Sequence, residues 1–138
     1  MKEKIKKYVD LIPRGSDFNL WKIAVENNKL AVKNVFSCLV EKGVELECYE
    51  QMQEIRMGIE DGLTSSQIML YAESKVPVNR WRYIRKALVR GVPIEVLKPV
   101  VKVPFSYEQL SDVEEKYFNE KHEKEKKAFV DMLFSDEK

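Results

Sequence analysis

The chain of 138 residues repeats part of its own sequence at a fixed spacing, and this repeat constrains the fold more than any other feature. The tetrapeptide Tyr-Glu-Gln-Met at 49–52 recurs as Tyr-Glu-Gln-Leu at 107–110, which is 58 residues later. Val-Asn-Arg-Trp at 78–81 lies halfway between the two, so the period is 29 residues. A period of this size is typical of stacked helical hairpins, because a single hairpin cannot bury its own apolar stripe.

Glycines and prolines fall at matching places within the repeat. Gly62 and Gly91 are one period apart, and each follows an apolar pattern with helical spacing. Glycine is the residue that most often ends a helix, because it adopts the left-handed backbone conformation without strain. Each unit is therefore predicted to contain a longer helix, a glycine stop, a short helix and a turn that contains proline.

The whole chain is predicted to be a single all-α domain, 1–138. Hydrophobic residues make up 44% of it, which is enough for a core, while only 5 glycines and 5 prolines supply turns. We expect a helical bundle of about eight helices in three parts. Residues 1–43 form N-terminal helices with a break at Asn27-Asn28, and residues 44–105 form the stacked helical-hairpin repeats, whose first long helix begins near Glu45. Residues 106–138 form a long C-terminal helix, which opens with a capping box of Ser106 and Gln109.

The best-preserved copy of the repeat has the pattern Gln-Met-x-x-Ile-Arg-x-Gly-Ile-x-x-Gly-Leu followed by a Tyr-Ala pair, between Gln51 and Ala72. This pattern resembles a short helical repeat found in proteins of Gram-positive gut bacteria and their mobile elements. The resemblance covers about half of the chain and carries no functional residue. It implies a bacterial, mobile-element setting, in which a small protein would act as an inhibitor or adaptor, for example an anti-CRISPR-like factor, on a larger protein.

A strongly basic segment is the first candidate site. Residues 79–102 contain seven basic residues and one acidic residue, a net charge of +6, while residues 45–61 have a net charge of −5. One interpretation is a nucleic-acid contact, in which this helix face binds phosphates. The other is that the basic side chains pair with the acidic helix before them. The candidate residues are Arg80, Arg82, Arg85, Lys86 and Arg90. Helical spacing places Arg82, Arg85 and Lys86 on one face.

The C-terminal segment is the second candidate site. Residues 119–127 contain no hydrophobic residue, and Phe129, Met132 and Leu133 follow at helical spacing. One hypothesis is that this helix projects and presents these three side chains to a partner groove or to a second copy, as a homodimer contact. The alternative is that the segment docks on the N-terminal helices or frays.

Catalytic and metal-binding chemistry is not indicated. His122 is the only histidine, and it lies in a segment without apolar residues that could form a pocket. Cys38 and Cys48 do not have the paired short spacing of zinc ligands. We therefore expect no enzymatic activity, no cofactor and no bound metal.

The net charge of +1 gives no global attraction to nucleic acid or to a membrane. No stretch approaches the roughly 20 apolar residues of a membrane span, and the start of the chain lacks the apolar core of a signal peptide. A cytoplasmic, non-enzymatic protein-binding module is therefore the predicted function. The alternative is a nucleic-acid-binding accessory protein that uses the basic helix at 79–90.

Overall fold

The computed structural model describes residues 2–102 and 105–135, and all regular secondary structure in these residues is helical. The predicted all-α class and the long C-terminal helix are confirmed. Residue 1, residues 103–104 and residues 136–138, which the predicted segments include, lie outside the described residues. The helices are α1 (Lys2–Val9), α2 (Ser16–Glu41), α3 (Tyr49–Glu60), α4 (Ser65–Ala72), α5 (Val78–Val89), α6 (Ile94–Val101) and α7 (Tyr107–Phe134).

The helix bounds follow the 29-residue period of the sequence. Helices α3, α5 and α7 begin at residues 49, 78 and 107, and the short helices α4 and α6 begin at 65 and 94. Helices α3 and α5 have the same length of 12 residues, and α4 and α6 both have 8. The predicted hairpin unit is therefore present twice, and α7 starts a third unit without completing it.

The two glycine stops work in the same way. Gly62 and Gly91 have φ angles of 83° and 97°, in the left-handed region that favours glycine. The N–H of Leu63 donates to the carbonyl of Gly58 at 3.0 Å, and that of Val92 donates to the carbonyl of Ala87 at 3.1 Å. Each of these hydrogen bonds joins residues five apart in the chain. They close the end of the helix and turn the chain toward the next one.

The predicted capping box at the start of α7 is confirmed. The Ser106 hydroxyl accepts the backbone N–H of Gln109 at 3.1 Å, and the Gln109 side chain accepts the N–H of Ser106 at 2.8 Å. Thr64 and Gln67 make the same reciprocal pair at the start of α4. Because these bonds satisfy N–H groups that have no partner inside the helix, they fix where each helix begins.

The hairpins stack in the order of the chain. Helix α3 packs on α5, and α4 packs on α6, while α2 covers α3 and α4 at one end and α7 covers α5 and α6 at the other. Met52, Trp81 and Leu110 occupy the same place in successive units, and all three are buried. The apolar stripe that one hairpin leaves uncovered is thus buried by its neighbour, as the repeat predicted.

One predicted boundary is confirmed and another was wrong. We expected a break at Asn27-Asn28, and the backbone leaves the helical conformation at Asn28, where φ is −138° and ψ is 43°, so α2 consists of two helical segments joined at this kink. With α2 counted as two segments, the described residues form eight helical segments, in agreement with the predicted number. Helix α3 begins at Tyr49 and not at Glu45, because the Gln51 side chain accepts the N–H of Cys48 and ends the preceding loop there.

Within residues 2–102 and 105–135, no helix is both long enough and apolar enough to cross a bilayer.

Candidate protein-interaction site

Helix α7 leaves the body of the protein halfway along its length. Leu110 is buried, and Tyr117 and Phe118 are the last of its side chains that pack against the core. Every residue from Asn119 to Ser135 is exposed. The exposed part stays helical because glutamate and lysine are good helix formers, and the side chains of Glu123 and Lys126 form an ion pair at 3.1 Å.

The end of this projecting helix carries a cluster of large apolar side chains that the described body does not cover. Their exposed fractions range from 49% to 63%. Positions 129, 132 and 133 share one face, and positions 130 and 134 extend it on one side, so the apolar arc covers about half of the helix. We call these five residues the α7 tip: Phe129, Val130, Met132, Leu133 and Phe134.

A second apolar surface lies between α1 and the first half of α2. It is a groove of about 370 Å³, and Lys22 and Glu26 are its only charged lining residues. Trp21 is buried beside it, and its indole N–H has no acceptor among the described residues. We call this surface the α1–α2 groove, and its apolar lining consists of Val9, Ile12, Phe18, Trp21, Val25 and Phe36.

The α1–α2 groove was not predicted from the sequence. A signal was present, because the first half of α2 carries apolar residues around more than one face. Leu20, Ile23 and Val25 are all more than a third exposed, although Trp21 and Ala24 between them are buried. Such a helix has more apolar surface than one neighbouring layer can cover.

The structure places Arg85 differently from the phosphate-contact interpretation. We expected Arg82, Arg85 and Lys86 to form one exposed basic face, but Arg85 is only 7% exposed. Its guanidinium donates to Glu54 Oε2 at 2.8 Å and to Asp61 Oδ2 at 2.7 Å. Helix α3 covers this side of α5, so the middle of the predicted face is occupied by protein carboxylates.

The charges around Arg85 also explain its protonation. Burial alone lowers the pKa of the guanidinium, but the hydrogen bonds and negative charges of Glu54 and Asp61 outweigh it and raise the pKa of Arg85. The arginine is therefore fixed in its charged form between two carboxylates. This is the pairing with the acidic helix that the second interpretation of the basic segment expected.

Two of the other basic candidates also have partners within the protein. The Arg80 guanidinium lies 5.5 Å from the centre of the Phe105 ring, and Arg90 forms an ion pair with Glu114. Arg82 is exposed and Lys86 is half-buried. The structure thus brings Arg80, Arg85 and Arg90 to three separate partners within the protein.

A polar surface hollow with a volume of about 710 Å³ lies elsewhere on the protein. Lys42 and Glu73 line it, and they pair with each other at 2.8 Å. Cys48 also lines it, whereas His122 lies far along the exposed part of α7. Among the residues that the structure describes, no three His, Cys, Asp or Glu side chains are grouped closely enough to hold a metal ion.

Comparison of the chain with protein-family models, with curated proteins and with solved structures found no match. The resemblance of residues 51–72 to a bacterial repeat stays a prediction. What the α7 tip and the α1–α2 groove can do is therefore inferred from their own geometry and chemistry.

Proposed function

We propose that this protein is a non-enzymatic protein-binding module that contacts its partner through the α7 tip. The observation that supports this is the set of five large apolar side chains, each about half exposed, on a helix that has left the body. Burying one such side chain fully contributes roughly 1.5–3 kcal/mol, so a cluster can offset the cost of association. Exposed apolar clusters of this kind typically mark interaction sites.

The geometry of the tip favours a partner with an apolar groove. Phe129, Met132 and Leu133 are spaced as the anchors of a helix that lies in a groove. Helix α7 is continuous from its anchored first half, so the tip is already helical before it meets a partner. Binding then requires little additional ordering of the backbone, which improves affinity.

The chemistry of the partner follows from the setting that the repeat implies. We propose a larger cytoplasmic protein of the bacterial host or of a phage, on which this small protein acts as an inhibitor or adaptor in the manner of an anti-CRISPR factor. The alternative function, nucleic-acid binding, is less well supported. Arg85 lies in the middle of the basic face that would contact phosphates, and it is buried between Glu54 and Asp61.

An affinity pull-down from lysate of the native host tests the proposal. The tagged wild-type protein is compared with Phe129→Asp/Leu133→Asp, with and without nuclease, and recovered proteins are identified by mass spectrometry. A matched control, Leu30→Asp/Val89→Asp, places two acids at exposed apolar positions outside the tip. We expect a dominant partner that survives nuclease and is lost only from the tip variant.

Two results would contradict this function. One is a partner that binds the tip variant as well as it binds the wild type. The other is recovery of nucleic acid, with proteins lost on nuclease treatment and binding lost in Arg82→Ala/Lys86→Ala, which would support the nucleic-acid alternative.

A further inference from the structure

We infer that the α7 tip of one copy docks in the α1–α2 groove of a second copy, and reciprocally, so that the protein forms a twofold symmetric homodimer. This inference rests on the proposed function, because it concerns the same tip: the second copy and the larger partner compete for it, so the dimer must dissociate before the larger partner binds. Three features of the chain carry the inference: the positions of the two surfaces, their combined area and the charges beside them.

The two apolar surfaces lie at opposite ends of the helical array. Helix α2, which forms the groove with α1, packs on α3 and α4, whereas α7 packs on α5 and α6. Because α7 is one helix from Tyr107 to Phe134, its tip cannot fold back toward the groove of its own chain. A twofold axis places the C-terminal end of one copy beside the N-terminal end of the other, which gives two identical contacts and a closed assembly.

The combined area is sufficient for a stable dimer. Five apolar side chains of the tip are about half exposed, and Phe18 and Val25 of the groove lining are 39% and 40% exposed. Each copy contributes both surfaces, so the two contacts together bury on the order of 600 Å² per copy, the lower end of the range for stable interfaces. One contact alone would bury about half of this and should associate only at high micromolar concentration.

The charges beside the two surfaces match in only one orientation. Lys22 and Glu26 line the groove four residues apart, and Lys127 and Asp131 border the tip with the same spacing. Antiparallel docking brings Lys22 to Asp131 and Glu26 to Lys127, whereas parallel docking would bring like charges together. Within the described residues, none of the four has an ion-pair partner within 4 Å.

The spacing predicts antiparallel docking of the tip along the first half of α2. In this arrangement Val130 and Phe134 lie against the apolar wall that includes Phe18 and Val25. The ion pairs then lie at the border of the contact, where they set orientation more than affinity.

Sedimentation velocity on the full chain, from low to high micromolar concentration, tests this inference. We expect the wild type to sediment as a dimer of two 16.2 kDa chains. The tip variant Leu133→Asp and the groove variant Val25→Asp should each be monomeric. Mixing them should restore association in part, because the tip variant has an intact groove and the groove variant has an intact tip.

A charge exchange tests the orientation at exposed positions that do not affect folding. Lys22→Asp and Asp131→Lys should each raise the dimer dissociation constant about tenfold, and the double variant should return it to near the wild-type value. Lys116→Asp, on the part of α7 next to the body, is the matched control and should leave it unchanged.

A wild type that stays monomeric at every concentration overturns the dimer, as does a dimer that survives Leu133→Asp or Val25→Asp. A mixture that stays monomeric, or a charge exchange that does not restore the dimer, also overturns this docking. The proposed function can fail independently of the dimer. If the protein is a monomer but Phe129→Asp/Leu133→Asp loses the partner found in the lysate, only the dimer is overturned. If the protein is a dimer but every lysate partner still binds Phe129→Asp/Leu133→Asp, only the binding of a larger partner by the tip is overturned.

Discussion

The guanidinium of Arg85 reaches from α5 to α3 and donates to the carboxylate of Asp61 at 2.7 Å. Asp61 directly precedes a glycine stop, and Arg85 is the eighth residue of the next long helix. One unit later the same positions hold Arg90 and Glu114, which pair at the same separation of 24 residues with the charges exchanged. This relationship ties the end of each long helix to the middle of the next, and it fixes the register of the stack.

Replacing Arg85 with alanine should destabilise the fold by about 3 kcal/mol, because it leaves the carboxylate of Glu54 largely buried without its partner. Urea unfolding followed by circular dichroism measures the change in the free energy of unfolding. Lys42→Ala is the control, since Lys42 pairs with Glu73 and the two side chains are 53% and 41% exposed. It should cost much less than Arg85→Ala. Equal losses for the two variants would contradict this account.

Gly58 is predicted to be intolerant of alanine for a reason that lies in α4. A Cβ atom at Gly58 would overlap the hydroxyl oxygen of Tyr71 and lie 3.1 Å from Ile68 Cγ1. The corresponding pair one unit later is Ala87 with Val100, which has no hydroxyl. Gly58→Ala should therefore destabilise the protein by about 1–3 kcal/mol, as overpacking does.

The compensating change supplies the control for this prediction. Tyr71→Phe removes the overlapping oxygen, so Gly58→Ala should cost much less in the Tyr71→Phe background than in the wild type. A double-mutant cycle from thermal unfolding measures this coupling. Additive effects of the two substitutions would show that the overlap is not the cause.

The stability of the protein should fall at alkaline pH. Burial raises the pKa of Tyr71, and its hydroxyl must keep its proton to donate to the Glu54 carbonyl at 2.9 Å. An unfolded tyrosine ionises near pH 10, so stability is intact below about pH 10 and decreases as the pH rises above it.

The measurement is urea unfolding at pH 8 and at pH 11. Tyr71→Phe should lose less stability between the two pH values than the wild type does. Tyr107→Phe, at a ring that is 60% exposed, should lose as much as the wild type. Burial also raises the pKa of Tyr8 and Tyr49, so part of the pH dependence should remain in the Tyr71 variant.

Substitutions in the two halves of α7 should change the free energy of unfolding by different amounts. Phe129→Asp/Leu133→Asp should change the free energy of unfolding by no more than about 0.5 kcal/mol per residue under conditions where the protein is monomeric, because both side chains are exposed. Leu110→Ala, in the buried half, should cost about 2–5 kcal/mol. A large loss from the tip variant in differential scanning calorimetry would show that the tip packs on its own chain.

The sequence by itself determined most of the points at which the repeated helices begin and end. The glycine stop at Gly62 and the capping box of Ser106 with Gln109 act through hydrogen bonds between residues at most five apart. Such signals are legible in the sequence because all their atoms belong to one short segment. At Asn28 the local signal also predicted a break, and the backbone leaves the helical conformation at that residue.

Only the tertiary structure decided which surfaces are covered. Helical spacing placed Arg82, Arg85 and Lys86 on one face, but the position of α3 buried Arg85 and left Arg82 exposed. The sequence left open whether the segment after Asn119 projects or docks. It showed apolar residues around more than one face of α2, but not that α1 and α2 form a groove together. Burial depends on contacts between residues far apart in the chain, such as Arg85 with Glu54, and these contacts exist only once the helices have stacked.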